Sequence, residues 1–339
     1  MSGAALLDKL QARGLEASEV DAILAQIMDG QTQHDDVVRF LRLSIPYMAY
    51  PAWIAAGARA LRARMLRVEA PAGAIDVCGT GGDGAHTLNI SSAVAFVVAG
   101  CGVPVAKHGN RAMSSKSGAA DVLEALGVKL TADTPTLERC LREAGVAFLF
   151  AQNHHPAMRH VAQARRELGQ RSLFNLLGPL SNPAGVSKQL VGVFSADFVL
   201  PVAEALKTLE AERAWIVHGF GGLDELSGEG VNEVAELRGG RIRTLRIAAA
   251  DAFLSQAPNL GLRGGDAGEN ASALRKLLSG DARGSDYAEV VQLNAAAALV
   301  AAGAATQLGE AARMASDSLH GGRALEALQA LIDVSRSAP

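Results

Sequence analysis

The stretch from Asp76 to Asp121 reads DVCGTGGDGAHTLNISSAVAFVVAGCGVPVAKHGNRAMSSKSGAAD, and it decides the fold. Ala74-Ile75-Asp76-Val77-Cys78 is a short, mostly apolar run that stops at glycine, the pattern of a buried strand. Gly79-Thr80-Gly81-Gly82-Asp83-Gly84 follows, and its glycines permit positive φ and let a ligand approach bare backbone. Asn89-Ile90-Ser91-Ser92 supplies N-cap residues, and the apolar run Ala93 to Ala99 predicts a helix buried on most of its faces. A strand, a glycine turn and a helix N-terminus form an anion site, because unpaired N–H groups and the helix dipole point at one place.

The second half of the stretch repeats that logic with charge. Val103-Pro104-Val105-Ala106 predicts the next strand, with Lys107-His108-Gly109-Asn110-Arg111 at its C-terminal end and Ser114, Ser115 and Ser117 beyond. Two cations, an amide, a glycine and three hydroxyls in such close order are phosphate chemistry. A helix from Ala119 to Leu126 carries Asp121 in its first turn. Both turns fall at the carboxyl ends of strands, where open α/β sheets bind ligands. Gly79 to Gly84 also satisfies the G-x-G-x-x-G pattern of a dinucleotide fold, but that fold needs an acid after the next strand, and Gly100 to Val105 holds none. No Gly-Lys-Ser/Thr ends the loop, so it is no Walker loop. Asp83 would repel phosphate unless a cation or a sugar hydroxyl intervened. That predicts a ligand carrying both hydroxyls and phosphates, or a bound Mg²⁺. A purely structural turn would have little use for the Asp, Thr, Asn and Ser that follow the glycines.

Working outward, residues 4 to about 70 predict helices only. Leu6, Leu7, Leu10 and Leu15 begin the pattern, and Ser18 to Asp21 opens a second helix through Val20, Ile23, Leu24 and Ile27. Asp29-Gly30 ends it, Asp35 starts a third, and Ala52 to Met65 is a fourth. Pro71-Ala72-Gly73 is the linker candidate. Beyond it strands alternate with helices, which predicts an α/β fold with a largely parallel sheet. Strands are expected at 75–78, 103–106, 147–150, 190–194 and 214–218, with a hairpin-like pair near 232–237 and 242–247. Helices are expected near 90–100, 118–126, 135–144, 158–168, 197–210, 269–278, 287–302 and 309–320. The segment 258–268, with five Gly or Pro residues, reads as a loop.

Composition sets the bounds. The chain has 339 residues, 49% of them apolar, enough for a large core and for two domains. A net charge of −3 argues against a nucleic-acid or membrane partner. Cys78, Cys101 and Cys140 are scattered and odd in number, so neither a disulfide framework nor a zinc site is indicated, and a reducing cytoplasm fits. The first sixteen residues carry charges where a signal peptide needs an apolar core, and no apolar run reaches membrane-spanning length.

Three later motifs carry chemistry. Gln152-Asn153-His154-His155-Pro156 follows an apolar strand. Paired histidines suit acid–base or metal work, but no further spaced ligand joins them, and a helix cap at Pro156 is the plain alternative. Arg165-Arg166 lies two to three turns along the next helix, where a charged pair is usually a solvated face. Asp224-Glu225 follows a strand and the glycines Gly219, Gly221 and Gly222. Adjacent carboxylates repel each other unless a cation sits between them, and oxygen ligands without His or Cys favour Mg²⁺. Asn175 to Pro183 reads as a structural loop that could pack a hinge between domains.

GTGGDGAHTLNISSA followed by KHGNRAMSSKSGAADVLEALG resembles the anthranilate phosphoribosyltransferases, enzymes of tryptophan biosynthesis. The resemblance continues through Phe148 to Ala151, His155 to Met158, Leu173 to Leu180 and Gly222 to Ser227, in order and nearly throughout the chain. It implies a fold of the nucleoside phosphorylase/phosphoribosyltransferase type. A small helical domain over 1–70, joined by part of 158–185, would serve dimer contacts, beside an α/β catalytic domain over 74–339. It implies transfer of a 5-phosphoribosyl group from phosphoribosyl diphosphate to anthranilate in a cytoplasmic homodimer that uses Mg²⁺, two ions per site. Donor binding would fall to Gly79, Gly82, Asp83, Thr87, Asn89, Ile90, Ser91, Ser92, Lys107, His108, Gly109, Asn110, Arg111, Ala112, Met113, Ser114, Ser115 and Ala119. Anthranilate would meet Gly79, Asn110, His155 and Arg165. Ser91, Asp224 and Glu225 would contact the metal, and no residue is implied as a general acid or base. The chain departs from the pattern at Leu43 to Pro51, LSIPYMAYP, where relatives carry a charged, glycine-containing turn, and at Ala112 and Ala119, where many have serine. A nucleoside phosphorylase of related fold, or a diverged paralogue that binds nucleic acid, are the rival readings.

Overall fold

The computed structural model describes residues 1–111 and 116–337. Ala112, Met113, Ser114 and Ser115, which the resemblance assigns to the donor, lie outside them.

Four helices open the chain: α1 (Gly3–Arg13), α2 (Ala17–Met28), α3 (His34–Leu43) and α4 (Pro51–Arg62). Val20, Ile23, Leu24 and Ile27 recur at helical spacing, and all four are buried. The helix α2 starts one residue before the expected Ser18, because the Glu19 carboxylate accepts the Glu16 amide at 3.0 Å and caps the turn there. Leu43 to Pro51 folds as a 3₁₀ turn over Ile45–Tyr47. Tyr47 stacks on Trp53 with centroids 4.5 Å apart, while Tyr50 stays exposed.

The sheet is built from β1 (Ile75–Gly79), β2 (Val105–Gly109), β3 (Val146–Phe150), β4 (Lys188–Gly192), β5 (Arg213–His218), β6 (Asn232–Arg238) and β7 (Arg241–Ile247), in the spatial order β3-β2-β1-β4-β5-β6-β7. The first five are parallel, and β6 and β7 pair antiparallel as the expected hairpin. Between them run α5 (Ile90–Gly100), α6 (Ala119–Leu126), α7 (Thr134–Glu143), α8 (Ala151–His154), α9 (Arg159–Leu168), α10 (Phe174–Leu177) and α11 (Val199–Thr208). The chain closes with α12 (Ala267–Leu278), α13 (Asp286–Ala302), α14 (Leu308–His320) and α15 (Arg323–Arg336), the last unanticipated. No helix of the described residues is long and apolar enough to cross a membrane.

Two apolar layers sandwich the sheet, as the period-two alternation of its strands requires. Ile75, Val77, Leu190, Trp215, Val217 and Val234 join α5, α13, α14 and α15 on one side. Val191, Val193, Ala214, Ile216, Ala235 and Leu237 join α11 on the other, in a cluster continuous with α1 to α4, α9 and α10.

The strand β2 lies two residues later than its expected position, so Lys107 and His108 are strand residues rather than loop residues. Polarity at these positions argues for a loop, but both side chains find interior partners. Pairing of β1 with β2 is a single register, Ile75↔Val105, whereas β1 pairs with β4 over five residues. Past that register, side chains take the place of the ladder. The His108 amide donates to Asp76 Oδ1 (3.0 Å), Lys107 Nζ donates to the Val77 carbonyl (2.8 Å), and Asn182 Nδ2 donates to the Ala106 carbonyl (2.7 Å). Asp76, Lys107 and Asn182 thus form a polar wedge between the two strands. From β1 the chain winds first to β2 and β3 on one side and later to β4 and β5 on the other. The β1/β4 boundary is therefore the topological switch point, and the ligand crevice lies beyond its carboxyl ends.

Candidate active site at the switch point

Two glycines bring the acidic loop against β1 and β4. A Cβ on Gly192 would lie 1.4 Å from the Asp224 carbonyl oxygen, and one on Gly79 would lie 2.2 Å from Asp224 Oδ2. Only glycine admits that approach at the ends of these strands. Asp224 reaches over the glycine turn and accepts the Gly81 amide at 2.6 Å, while Asp83 accepts the amides of Ala85 (3.1 Å) and Asp224 (3.4 Å). Asp83, Asp224 and Glu225 each offer a carboxylate oxygen, all within 4.8 Å of one another.

Burial pushes the Asp224 carboxyl above its usual range, and the charge of Asp83 adds to the rise. Burial raises Glu225 as well, followed by the charges of Asp224 and Asp83, while Lys107 opposes the rise. Three carboxylates held this close call for a cation. The donor set is oxygen only, which fits Mg²⁺. Burial also pushes the neighbouring Cys78 thiol well up, and the charge of Asp76 adds to the rise. Asp83 joins the acidic pair here, a placement left open in sequence between a metal and a sugar hydroxyl.

Lys107 is 3% exposed. Two of its three N–H groups go to the Val77 carbonyl and to Ser91 Oγ, the latter at 3.1 Å. Ser91, one of the expected metal contacts, is therefore tied to the lysine. Burial lowers the Lys107 pKa, and Cys78, Asp76, Glu225 and Asp224 hold it up. The charge of Lys107 thus acts on the acid cluster, with its ammonium bonded to β1 and to the start of α5.

The glycine turn is held at each residue from Thr80 to Gly82. Thr80 Oγ1 accepts the Phe194 amide (3.1 Å), Gly81 donates to Asp224, and the Arg171 guanidinium donates to the Gly82 carbonyl. Arg171 also lies 4.2 Å above the Phe194 ring. Next, residues 86–88 pair antiparallel with 262–264. Leu88 N donates to Leu262 O (2.7 Å), Gly264 N donates to His86 O (2.9 Å), and Thr87 bridges Arg263. The segment expected as a plain loop is thus a strap across the approach to α5. Beyond it stand Asn89, Ser91 and the buried Ile90 and Ser92, opening the helix.

A second group of expected residues gathers at the ends of β2 and β3. His108 and His155 are 4% and 8% exposed, and their Nε2 atoms lie 3.1 Å apart. His108 Nδ1 lies 3.0 Å from the Gly178 carbonyl. Burial, then the neighbouring ring, depresses His108 to about 3, and burial, then His154, depresses His155 to about 4, so both are neutral at pH 7. His155 packs on His108 and is also the cap residue of the Pro156–Met158 turn. Asn110 Oδ1 accepts from its neighbour's amide at Arg111 and lies 3.4 Å from Gln152 Nε2. Arg165, on α9, is half-buried, and its guanidinium makes no hydrogen bond or ion pair with any described residue. Burial alone lowers its pKa. Arg111 points elsewhere: it pairs with Asp121 (2.7 Å) and Glu124 (2.9 Å) on α6 and lies over Phe150. Ala119 starts that helix.

Sequence reasoning assigned nothing to Asp76, Arg171, Asn182, Asn270 and Tyr287. Asp76 had a usable signal, since an acid inside an apolar strand needs partners. Asn182 and Arg171 sit in segments without periodicity, and nothing local marks their reach.

The model of the family described as "Glycosyl transferase family, a/b domain" matches residues 72–325. A Mesorhizobium japonicum anthranilate phosphoribosyltransferase is 55% identical over 275 residues, 81% of each chain. The crystal structure of the Thermus thermophilus anthranilate phosphoribosyltransferase superposes with a TM-score of 0.93 at 40% identity, covering 98% of this chain and 99% of that one. The Saccharomyces cerevisiae enzyme in complex with PRPP and Mg gives 0.91 at 27% identity, covering 99% and 98%.

Proposed function

The chain belongs to the anthranilate phosphoribosyltransferase family, and from that premise we propose how its residues carry the reaction. The enzyme transfers the 5-phosphoribosyl group of phosphoribosyl diphosphate to the amine of anthranilate, giving N-(5-phosphoribosyl)anthranilate and diphosphate, the second step of the tryptophan branch. The observation that carries the reading of the site is the acid cluster of Asp83, Asp224 and Glu225 beside a glycine turn at the switch point.

In the reaction the C1–O bond to diphosphate breaks, the C1–N bond forms, and the amine proton leaves to water. An aryl amine is neutral at pH 7, so no strong base is required. Neutral His108 and His155 agree with that, since neither is poised to exchange a proton near pH 7. Rate enhancement then comes from alignment of two substrates and from charge stabilisation as diphosphate departs from an oxocarbenium-like ribosyl group. Asp83, Asp224 and Glu225, with Ser91 nearby, would hold Mg²⁺, in our reading two ions, which would supply the positive charge that offsets the diphosphate. The Thr80, Gly81 and Ile90 amides go to Gly192, Asp224 and Leu88, so within Gly79 to Gly82 and Asn89 to Ser92 the amides of Gly82, Asn89, Ser91 and Ser92 are the ones left for the phosphates, with the α5 dipole behind them. Lys107 supports that end of the site through Ser91.

Anthranilate lies against Gly79, Asn110 and His155, with its carboxylate on Arg165. The half-buried guanidinium has no partner among the described residues, and its fork matches a planar carboxylate. We further read residues 1–70 with part of 158–185 as a helical domain that mediates a homodimer, and 74–339 as the catalytic domain. In support, Ala157, Val161, Ala164 and Leu173 to Leu180 pack with α1 to α4. A cytoplasmic location is consistent with three free cysteines.

Incubation with phosphoribosyl diphosphate, Mg²⁺ and anthranilate, followed by loss of anthranilate fluorescence, tests the activity. Phosphorolysis of pyrimidine nucleosides with no response to anthranilate would overturn it in favour of a phosphorylase. Light scattering tests the dimer, and a monomeric mass at working concentration would refute that part.

A further inference from the structure

Asn270 stands on the first turn of α12, 3% exposed, behind the N-terminus of α5. Its orientation follows from donor and acceptor rules. The Gly265 amide can only donate, so the Asn270 atom 2.7 Å from it is the acceptor Oδ1. The other end of the amide, Nδ2, lies 3.0 Å from the Asn89 side chain. An NH₂ group can only donate, so the atom it meets is Asn89 Oδ1. The Asn89 NH₂ is thereby left for something other than α12, and no hydrogen bond to it occurs among the described residues. The rest of Asn89 is fixed as well, since Tyr287 Oη donates to its carbonyl at 3.2 Å and the Ala93 amide donates to it at 3.1 Å. Without Asn270, the two ends of the Asn89 amide would exchange by a half-turn of the terminal torsion at little energetic difference.

We propose that Asn270 is a positioning residue that sets the Asn89 amide, so that Asn89 presents N–H rather than C=O to an anionic oxygen of the diphosphate donor. The inference rests on the reading of Asn89 as a donor-substrate contact. It explains why a buried asparagine sits at the joint between the strap at 262–265 and α5, where an apolar residue would fill the space without needing partners.

The experiment compares Asn270→Asp with Asn270→Ala, each alone and with Asn89→Ala. Phosphoribosyl diphosphate binding is read by calorimetry in Mg²⁺, and both Michaelis constants are measured. Asp at 270 keeps an acceptor for the Gly265 amide, but its second oxygen cannot donate, so Asn89 turns its NH₂ inward and shows its carbonyl to the ligand. Ala loses the Gly265 bond and only frees Asn89. The expected result is that Asn270→Asp weakens donor binding about tenfold more than Asn270→Ala does, with the anthranilate constant changed less than about twofold. In the Asn89→Ala background each Asn270 effect shrinks to below about threefold, because the cycle removes the residue through which Asn270 acts. A larger loss from Asn270→Ala than from Asn270→Asp would overturn the proposal in favour of a scaffold role. An undiminished Asn270→Asp loss without Asn89 would overturn it in favour of direct charge repulsion. If Asn270→Asp does not fold, the cycle of Asn270→Ala with Asn89→Ala decides, and additive losses refute the proposal. A wild type that transfers no phosphoribosyl group refutes the underlying reading, whereas a competent wild type with Asn89 and Asn270 uncoupled refutes only this inference.

Discussion

Arg165→Ala removes a guanidinium that the fold itself does not use. No described residue accepts a hydrogen bond from it, so its loss leaves nothing unsatisfied, and the melting temperature should hold or rise slightly as a desolvated charge disappears. The effect on binding is the opposite. A charge-assisted contact to a carboxylate contributes about 1.5–3 kcal/mol, and half-burial keeps solvent from screening it. At about 1.4 kcal/mol per decade, the Michaelis constant for anthranilate should rise about ten- to hundredfold. The constant for phosphoribosyl diphosphate should move little, because its phosphates meet the glycine turn and the start of α5. Arg165→Lys should recover only part of the loss, since a point charge cannot reproduce the planar fork. The assay is steady-state fluorescence with each substrate varied in turn on the three proteins. Unchanged anthranilate constants in both variants would refute the acceptor-site assignment, and a matching rise for both substrates would mean that α9 acts through structure.

Asp224→Asn with Glu225→Gln should bring turnover close to background while the metal-free melting temperature holds or rises. Both carboxyls are raised in the fold, so their charged forms oppose folding at neutral pH and the amides relieve that; near-normal turnover at saturating Mg²⁺ would sink the metal role. Lys107→Ala should raise the constant for phosphoribosyl diphosphate about ten- to hundredfold and reduce stability by about 1–3 kcal/mol, because the Val77 carbonyl loses its partner. Unaltered donor kinetics would remove Lys107 from the site. The histidines give a pH test. Both pKa values are depressed below the unfolded value of about 6.5, so between that value and 3 to 4 the unfolded chain binds protons that the native chain does not. Stability therefore falls as pH drops through this window, by about 2 kcal/mol per ring between pH 8 and pH 5. His108→Asn should remove one such share in denaturant titrations at the two pH values, and an identical pH dependence in the variant would refute the burial argument.

The glycine turn, the acidic pair and the order of strands and helices were legible because each is written locally. Gly79 to Gly84 needs no partner to declare a turn, and Asp224-Glu225 declares a charge problem by itself. Helical spacing marked α2, and an unbroken apolar run marked α5, for the same reason. The register of β2 was not legible. Lys107 and His108 look like loop residues until Val77, Asp76 and Gly178 are seen to complete them, and those partners come from two other segments. Asn270 was hidden for a related reason. It is one polar residue in an amphipathic helix, and its value lies in an amide orientation transmitted from Gly265 to Asn89, nearly two hundred positions apart in the chain. Arg171 and Asn182 likewise act at a distance from segments whose local pattern says only turn. What sequence missed is the set of side chains that stand in for backbone.

The polar wedge between β1 and β2 makes the sheet separable in a way that most sheets are not. An ordinary parallel ladder is immune to point mutation, because every residue type except proline brings the same N–H and C=O. Here three side chains carry that duty, so the seam is genetically addressable. One substitution at Asp76, Lys107 or Asn182 acts on the junction between a two-strand block, β3-β2, and a five-strand block, β1-β4-β5-β6-β7. The glycine turn after β1 belongs to the larger block, and the His108–His155 pair at the ends of β2 and β3 to the smaller one. The join can thus be tuned residue by residue, and at Lys107, which also holds Ser91, a change in the seam reaches the start of α5 directly.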